Sequence, residues 1–266
     1  HALGSSQTKP KLSVTTVYRK ISNDDTNTTA QKLWQVALVE PQQVQEATTE
    51  DDVSAFSGVE VSLASHLEDV RAWATWFASA GNIGEQISED IALAALLHDI
   101  GKADWRFQAM LRGGDPVHVG EPIAKSRLAG SAKTRARAAQ RSTWPRGFRH
   151  ELISLALFDA SPDLQTQAHD LDLVRHLIAS HHGWCRPWPP AAVDENPQTV
   201  TCEVAGVQAK VSTAALDENT LNQCVSRFRR LTRRYGWHGL AYLEAVLRLG
   251  DHQASRTPGE HPSPGS

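Results

Sequence analysis

The sequence has no run of about 18 or more apolar residues, the length a membrane-spanning helix needs, so no membrane segment is expected and the chain is read as soluble. It is also poor in sulfur, with three cysteines and one methionine in 266 residues. Cys185, Cys202 and Cys224 are odd in number and form no C-x-x-C pair, which fits a reducing cytoplasm better than a disulfide framework. The first residues lack a basic-then-apolar pattern, so no secretory signal is expected. No G-x-x-x-x-G-K segment occurs, so the phosphate loop of a nucleotide-driven motor is missing. Net charge is small, formally -3, but it averages over an uneven distribution.

The pattern along the chain divides it into three parts. Residues 1–60 are rich in Thr, Gln, Asn and Asp and contain two short strand-like stretches, Leu12 to Tyr18 and Leu33 to Val39. They read as a linker or the remnant of a neighbouring domain. From Val61 the apolar period becomes helical, with Leu67, Val70, Trp73, Ala74 and Phe77 on one face. Residues 61–256 therefore read as one helical domain, with further helices over Asp90 to Leu97, Glu151 to Phe158, Leu171 to Ser180, Leu221 to Tyr235 and Leu240 to Leu249. Val200, Cys202 and Val204, then Val207, Ala209 and Val211, alternate around Ala205-Gly206, which predicts a small inserted β-hairpin. Residues 257–266 are rich in Pro, Gly and Ser and are expected to be a disordered tail. The fold class expected is mainly α.

What the chain does have is twelve histidines, several of them beside acids at the ends of apolar helices. His98-Asp99 follows the apolar stretch Ala92 to Leu97, so both side chains emerge at the buried end of a core helix. An unpaired carboxylate is costly there unless a cation or hydrogen bonds compensate, and adjacent His and Asp can share one metal or let the carboxylate bridge two. Gly101 is expected to take a left-handed conformation that stops the helix, turning Lys102 back toward the same site. His181-His182-Gly183 places two histidines where a helix ends and a glycine lets the chain turn. His66, His150 and Asp251 each stand at the edge of a helical segment; alone, His66 reads more readily as a cap or surface residue, His150 has no diagnostic value, and Asp251 reads equally as a surface acid.

Charge placement bears on the ligand. Between Arg112 and Arg149 nine Lys or Arg face two acids, a local excess of seven positive charges in what reads as a loop. Arg127, Arg135, Arg137, Arg141 and Arg149 belong to it, and Arg227, Arg229, Arg230, Arg233 and Arg234 form a second basic run on a predicted helix. Such clusters suit a polyanionic backbone, and Trp184 with Trp188, just past the histidine doublet, can stack unpaired bases or pack as a lid.

Taken in order, Ser65-His66, Leu96-Leu97-His98-Asp99-Ile100-Gly101-Lys102 with Phe107-Gln108, Arg149-His150-Glu151, His181-His182-Gly183 and Gly250-Asp251-His252-Gln253-Ala254-Ser255 form the series H, H-D, H, H-H, D. This series resembles the HD superfamily of metal-dependent phosphohydrolases. Within it, the chain is most similar to the HD nuclease domain of the CRISPR-associated nuclease-helicase of type I systems, the Cas-three family. One departure is Gly250, where that family usually has Ala. The resemblance implies an HD-domain helical bundle. It also implies one metal held by His66, His98, Asp99 and Asp251 and a second by Asp99, His150, His181 and His182, with Asp99 bridging. Two ions about 3.5–4 Å apart can activate water, orient a phosphodiester and stabilise the oxygens of an in-line displacement. Mixed imidazole and carboxylate donors favour manganese, iron, cobalt, nickel or zinc over magnesium. Asp99 and Lys102 would act in catalysis, Lys102 and Ser255 as phosphate-contacting or supporting groups. The implied substrate is single-stranded DNA. The implied partners are a CRISPR helicase, which lies outside this sequence, and an RNA-guided surveillance complex in antiviral defence. Two other readings stay open at this point: an HD phosphohydrolase of nucleotides or cyclic nucleotides, and a non-catalytic, metal-stabilised binding module.

Overall fold

A computed structural model of the chain describes residues 15–20, 30–35, 55–115, 120–128, 131–189 and 194–262. The chain divides into two units, His1–Ala47 and Thr48–Ser266. In the first, β1 (Thr15–Lys20) pairs antiparallel with β2 (Ala30–Gln35), from Thr15 opposite Gln35 to Lys20 opposite Ala30. The strand-like stretches expected from sequence overlap these two but are displaced along the chain; residues 12–14 and 36–39 of those expectations lie outside the described residues.

The second unit is mainly helical. A short strand, β3 (Val61–Ser62), runs directly into α1 (Leu63–Ala80), whose N-terminus is capped by Ser62 Oγ accepting from Ser65 N at 3.1 Å. Leu63, Leu67, Val70, Ala74 and Ala78 recur at helical spacing and are fully buried, and His66 falls on the same stripe. Each such aliphatic side chain contributes about 1.5–3 kcal/mol if large, less for alanine. The next helix, α2 (Glu85–Leu97), is the central buried helix that its apolar run predicts. It ends at His98, and a short 3-10 helix, Ile100–Ala103, continues from Asp99. Beyond it come α3 (Trp105–Leu111), β4 (Ile123–Lys125), α4 (Ala132–Ser142), α5 (His150–Asp159), the single turn α6 (Pro162–Gln165) and α7 (Leu171–Ser180). The basic segment between Arg112 and Arg149 is thus not a loop throughout. Part of it is β4, paired with β3, and part is α4, which packs on α3 with Ala138 buried among Phe107, Met110, Leu111 and Ile123.

The hairpin forms where alternation places it, from β5 (Thr199–Val204) and β6 (Val207–Ser212). Val200, Cys202, Val204, Val207 and Ala209 face the core. Its two turn residues, Ala205 and Gly206, both have positive φ, at 51° and 76°, the conformation that matches strand twist in a two-residue hairpin. The last helical segment, α8 (Glu218–Arg256), contains the two expected helices, separated at Gly236, whose φ of 71° and ψ of 166° are not helical. It lies against α1, and at Gly250 the two approach closely: a Cβ there would sit 2.9–3.1 Å from the Ala74 backbone and Cβ.

Helix junctions are fixed by buried acids. Asp90 on α2 accepts from the backbone N–H groups of His169 and Asp170 at 2.8 and 2.9 Å, and Asp170 in turn caps α7. Burial raises the Asp90 pKa, and the two backbone donors partly offset it. Residues 257–262, expected to be disordered, fold back on α1 instead. Gly259 N donates to Asp69 Oδ2 at 2.8 Å and Trp73 Nε1 donates to the Glu260 carbonyl at 3.0 Å, bonds that composition alone does not reveal. Among the described residues no helix is long and apolar enough to cross a membrane.

Candidate metal centre

Five separate elements deliver histidines and acids to one buried point. His66 comes from the first turn of α1, His98 and Asp99 from the end of α2, His150 from the first position of α5, His181 and His182 from the end of α7, and Asp251 from α8. Asp99 is the centre. Its Oδ2 lies 3.4 Å from His66 Nε2 and 3.4 Å from His98 Nε2, while Oδ1 lies 2.9 Å from His150 Nε2 and 3.5 Å from His181 Nε2. Asp251 Oδ1 approaches His66 Nε2 at 3.2 Å and accepts from Ser255 Oγ at 3.3 Å. The His182 ring packs on that of His181, centroids 3.9 Å apart, and on His150 at 5.2 Å.

The donor atoms form two groups that could each hold a metal ion: Asp99, His150, His181 and His182, and His66, His98 and Asp99. Backbone carbonyls fix two of the tautomers. A carbonyl can only accept, so His98 Nδ1 donates to Ala95 at 2.7 Å and His181 Nδ1 donates to Ile178 at 2.8 Å. In the neutral rings the Nε2 lone pairs then face Asp99, itself all acceptor. The atoms His98 Nε2, His150 Nε2, His181 Nε2 and Asp99 Oδ1 are buried without a hydrogen-bond partner. Acceptors facing acceptors in a dry site repel one another unless a cation lies among them, so the donor set fits divalent metal.

Electrostatics reflect the crowding. Burial raises the Asp99 pKa, but Lys102, whose Nζ is 2.6 Å from Oδ2, together with His98 holds it well below the usual carboxylate range. Asp251 is held low against its burial by His66. Burial lowers His98, yet Asp99 and Asp251 outweigh it and raise that ring, whereas at His150 burial prevails and lowers it.

Several sequence expectations resolve differently. Gly101 does not adopt a left-handed conformation; it lies in the 3-10 helix, and its requirement is contact, since a Cβ would fall 2.1 Å from the His150 carbonyl oxygen. Gly183 does take positive φ, 89°, and lets the chain turn after the doublet. Arg149, expected at a DNA-binding surface, is buried and forked onto Glu151, with Nη2 to Oε1 at 2.7 Å; the two support His150 from behind, its Nδ1 lying 3.5 Å from Glu151 Oε2. Arg127, Arg137 and Arg141 are exposed and Arg135 half-buried, the last three on α4, while Trp184 is exposed. In the second basic run Arg227 is buried, and Arg230 and Arg234 bind Asp172 and Asp170 at the start of α7, leaving Arg229 and Arg233 exposed beside Trp237.

Gln108 has a role that sequence reading missed. Its Nε2 donates to the carbonyls of Lys102 at 2.7 Å and Ile123 at 2.9 Å, and its Oε1 accepts from Ile123 N at 2.9 Å. One buried amide thus ties the 3-10 helix to β4. The signals were a lone amide inside the apolar run Phe107 to Leu111 and its place in the Phe107-Gln108 pair that follows His98-Asp99 in the resemblance.

The family described as Cas3, HD domain, matches residues 24–238. The chain belongs to that family. Its Cas3 HD domain is mostly helical, as the resemblance implied, and HD domains bind divalent metals, which the buried His and Asp cluster could hold. Asp251 lies past the matched residues, yet α8 returns it to His66. No curated protein and no solved structure matches the chain.

Proposed function

We propose that this Cas3 HD domain is a metal-dependent nuclease that cuts single-stranded DNA by two-metal phosphodiester hydrolysis, in CRISPR type I interference, alongside a helicase and an RNA-guided surveillance complex. The observation that carries the reading is the division of Asp99, one carboxylate oxygen toward His66 and His98 and the other toward His150 and His181. His66, His98, Asp99 and Asp251 would hold one ion and Asp99, His150, His181 and His182 the other. Bound there, such ions supply Lewis acidity that activates water and neutralises charge on a phosphodiester. The chain's own groups do the positioning. The Ala95 and Ile178 carbonyls lock His98 and His181 with Nε2 inward, Glu151 and Arg149 back His150, and Lys102 keeps Asp99 ionised. Exposed Arg127, Arg137 and Arg141, with Trp184, supply phosphate and base contacts for an open strand.

The test is to load the protein with manganese and offer circular single-stranded DNA, duplex DNA and mononucleotides to wild type and Asp99→Ala. Cleavage of the circle by wild type and its loss in the variant is expected. Turnover of mononucleotides with no cutting of DNA would move the protein to the nucleotide phosphohydrolases. Failure to bind any transition metal would sink both.

A further inference from the structure

Lys125 belongs by sequence to the basic run, but its surroundings set it apart. It is only 5% exposed. Strand β4 carries it opposite Val61, and because Ser62 pairs with Ile123, the extra residue Ala124 bulges between them. A bulge of this kind re-aims a neighbouring side chain. Gln108 holds Ile123, two residues away, and the Lys102 backbone together, so the two lysines are set by one clamp. The charges that act on Lys125 are Lys102, Asp251 and Asp99, all members of the metal centre. Among the described residues its ammonium makes neither a hydrogen bond nor a close ion pair.

That arrangement is costly. A largely dehydrated ammonium normally keeps an anionic or carbonyl partner. Here both nearby carboxylates already have nearer ones, Asp99 in Lys102 at 2.6 Å and Asp251 in His66 at 3.2 Å. A second lysine adds repulsion rather than a missing counter-charge. What completes the set is an anion that enters from outside.

The geometry points to Lys125 as a catalytic residue whose ammonium contacts the non-bridging oxygens of the scissile phosphodiester, beside Lys102. This rests on the nuclease reading above. A cation fixed in advance where phosphoryl charge grows stabilises the transition state without reorganising at the moment of reaction. Its cost to the folded state is the familiar exchange of stability for function.

The experiment compares wild type, Lys125→Met and Lys125→Arg as manganese-loaded proteins in three assays: melting temperature, cleavage of an oligothymidylate, and the melting shift caused by thymidine monophosphate. Met keeps the stem and removes the charge. It is expected to raise the melting temperature by about 2–4 °C and to slow cleavage about a hundredfold. It should also abolish the nucleotide-dependent shift while leaving manganese affinity unchanged; Arg should restore part of the cleavage and the shift. A Met variant that melts lower than wild type makes Lys125 structural and overturns the inference, as does an undiminished cleavage rate. Wild type that cuts no strand sinks the nuclease reading, and the thymidine monophosphate shift still judges Lys125. An equal response of wild type and variant to that nucleotide, including none in either, overturns the phosphate contact.

Discussion

Replacing Gly101 by Ala probes how the two halves of the centre are held together. The added Cβ would stand 2.1 Å from the His150 carbonyl oxygen, 2.7 Å from Ser154 N and 2.9 Å from Ile153 Cβ. Two of these atoms are backbone, so no side chain can swing away. Restoring ordinary contact requires the 3-10 helix and α5 to separate by about 1 Å. The separation also stretches the bond from Gly101 N to Ser154 Oγ, now 2.8 Å. Overpacking of this kind costs about 1–3 kcal/mol and the loosened bond about 1 kcal/mol more. At about 2–4 °C per kcal/mol for a domain this size, the melting temperature should fall by roughly 4–16 °C. The same movement pulls Asp99, just before the 3-10 helix, from His150 on α5, which it meets at 2.9 Å. A misplacement of about 1 Å in a catalytic site costs about a hundredfold in rate. Gly84→Ala is the control, since a Cβ there meets nothing within 4 Å. Thermal melts of both variants, with manganese titration and strand cleavage, make the check. If Gly101→Ala melts with the Gly84 control and keeps its metal affinity, the close approach does not organise the site and the reasoning fails.

Two further outcomes follow from the packing and the buried charges. Gly250→Ala drives a Cβ to 2.9 Å from Ala74 N where α1 and α8 touch, so denaturant melts should show a loss of about 1–3 kcal/mol. His176 is buried with Nε2 2.6 Å from Glu244 Oε1; burial lowers its pKa below 6.5, Glu244 only partly opposes this, and Arg227 and Arg186 add to the lowering. The unfolded chain then binds the proton more readily, so this group's stability is present above pH 6.5 and is lost as pH falls below it, by up to about 1.4 kcal/mol per pH unit until the folded ring also protonates. In urea melts at several pH values His176→Gln should flatten that slope, and an unchanged slope would rule His176 out as its source.

The elements that were legible in the sequence are those whose partners are local. Helices α2, α5 and α7 show as apolar runs because they are buried on nearly all sides, and the β5–β6 hairpin shows because alternation and Ala205-Gly206 lie within one short segment. The break inside α8 was legible too: the apolar periodicity separates Leu221 to Tyr235 from Leu240 to Leu249, and the backbone leaves helical geometry between them, at Gly236. The segment 257–262 was misread. Its composition is that of a disordered chain, and what orders it is a pair of bonds from its backbone to Asp69 and Trp73, residues almost two hundred positions earlier.

The site divides along the same line. His98-Asp99 and the His181-His182 doublet stood out because such pairs are unusual at helix ends, whereas His66, His150 and Asp251 joined them only through the family resemblance. Charge was a poorer guide. A basic run says only that cations are numerous, and burial then sorts them. Arg149 turns inward to Glu151, Arg230 and Arg234 hold the start of α7, Arg127, Arg137 and Arg141 stay at the surface, and Lys125 is buried where the charges of Asp99 and Asp251 act on it. What separates them is pairing. The buried arginine has a carboxylate within hydrogen-bonding distance, so its charge is accounted for within the fold. A buried lysine whose acidic neighbours already have nearer partners, Lys102 at Asp99 and His66 at Asp251, is a charge the fold holds less closely, and such a charge is where an anionic substrate gains the most by binding.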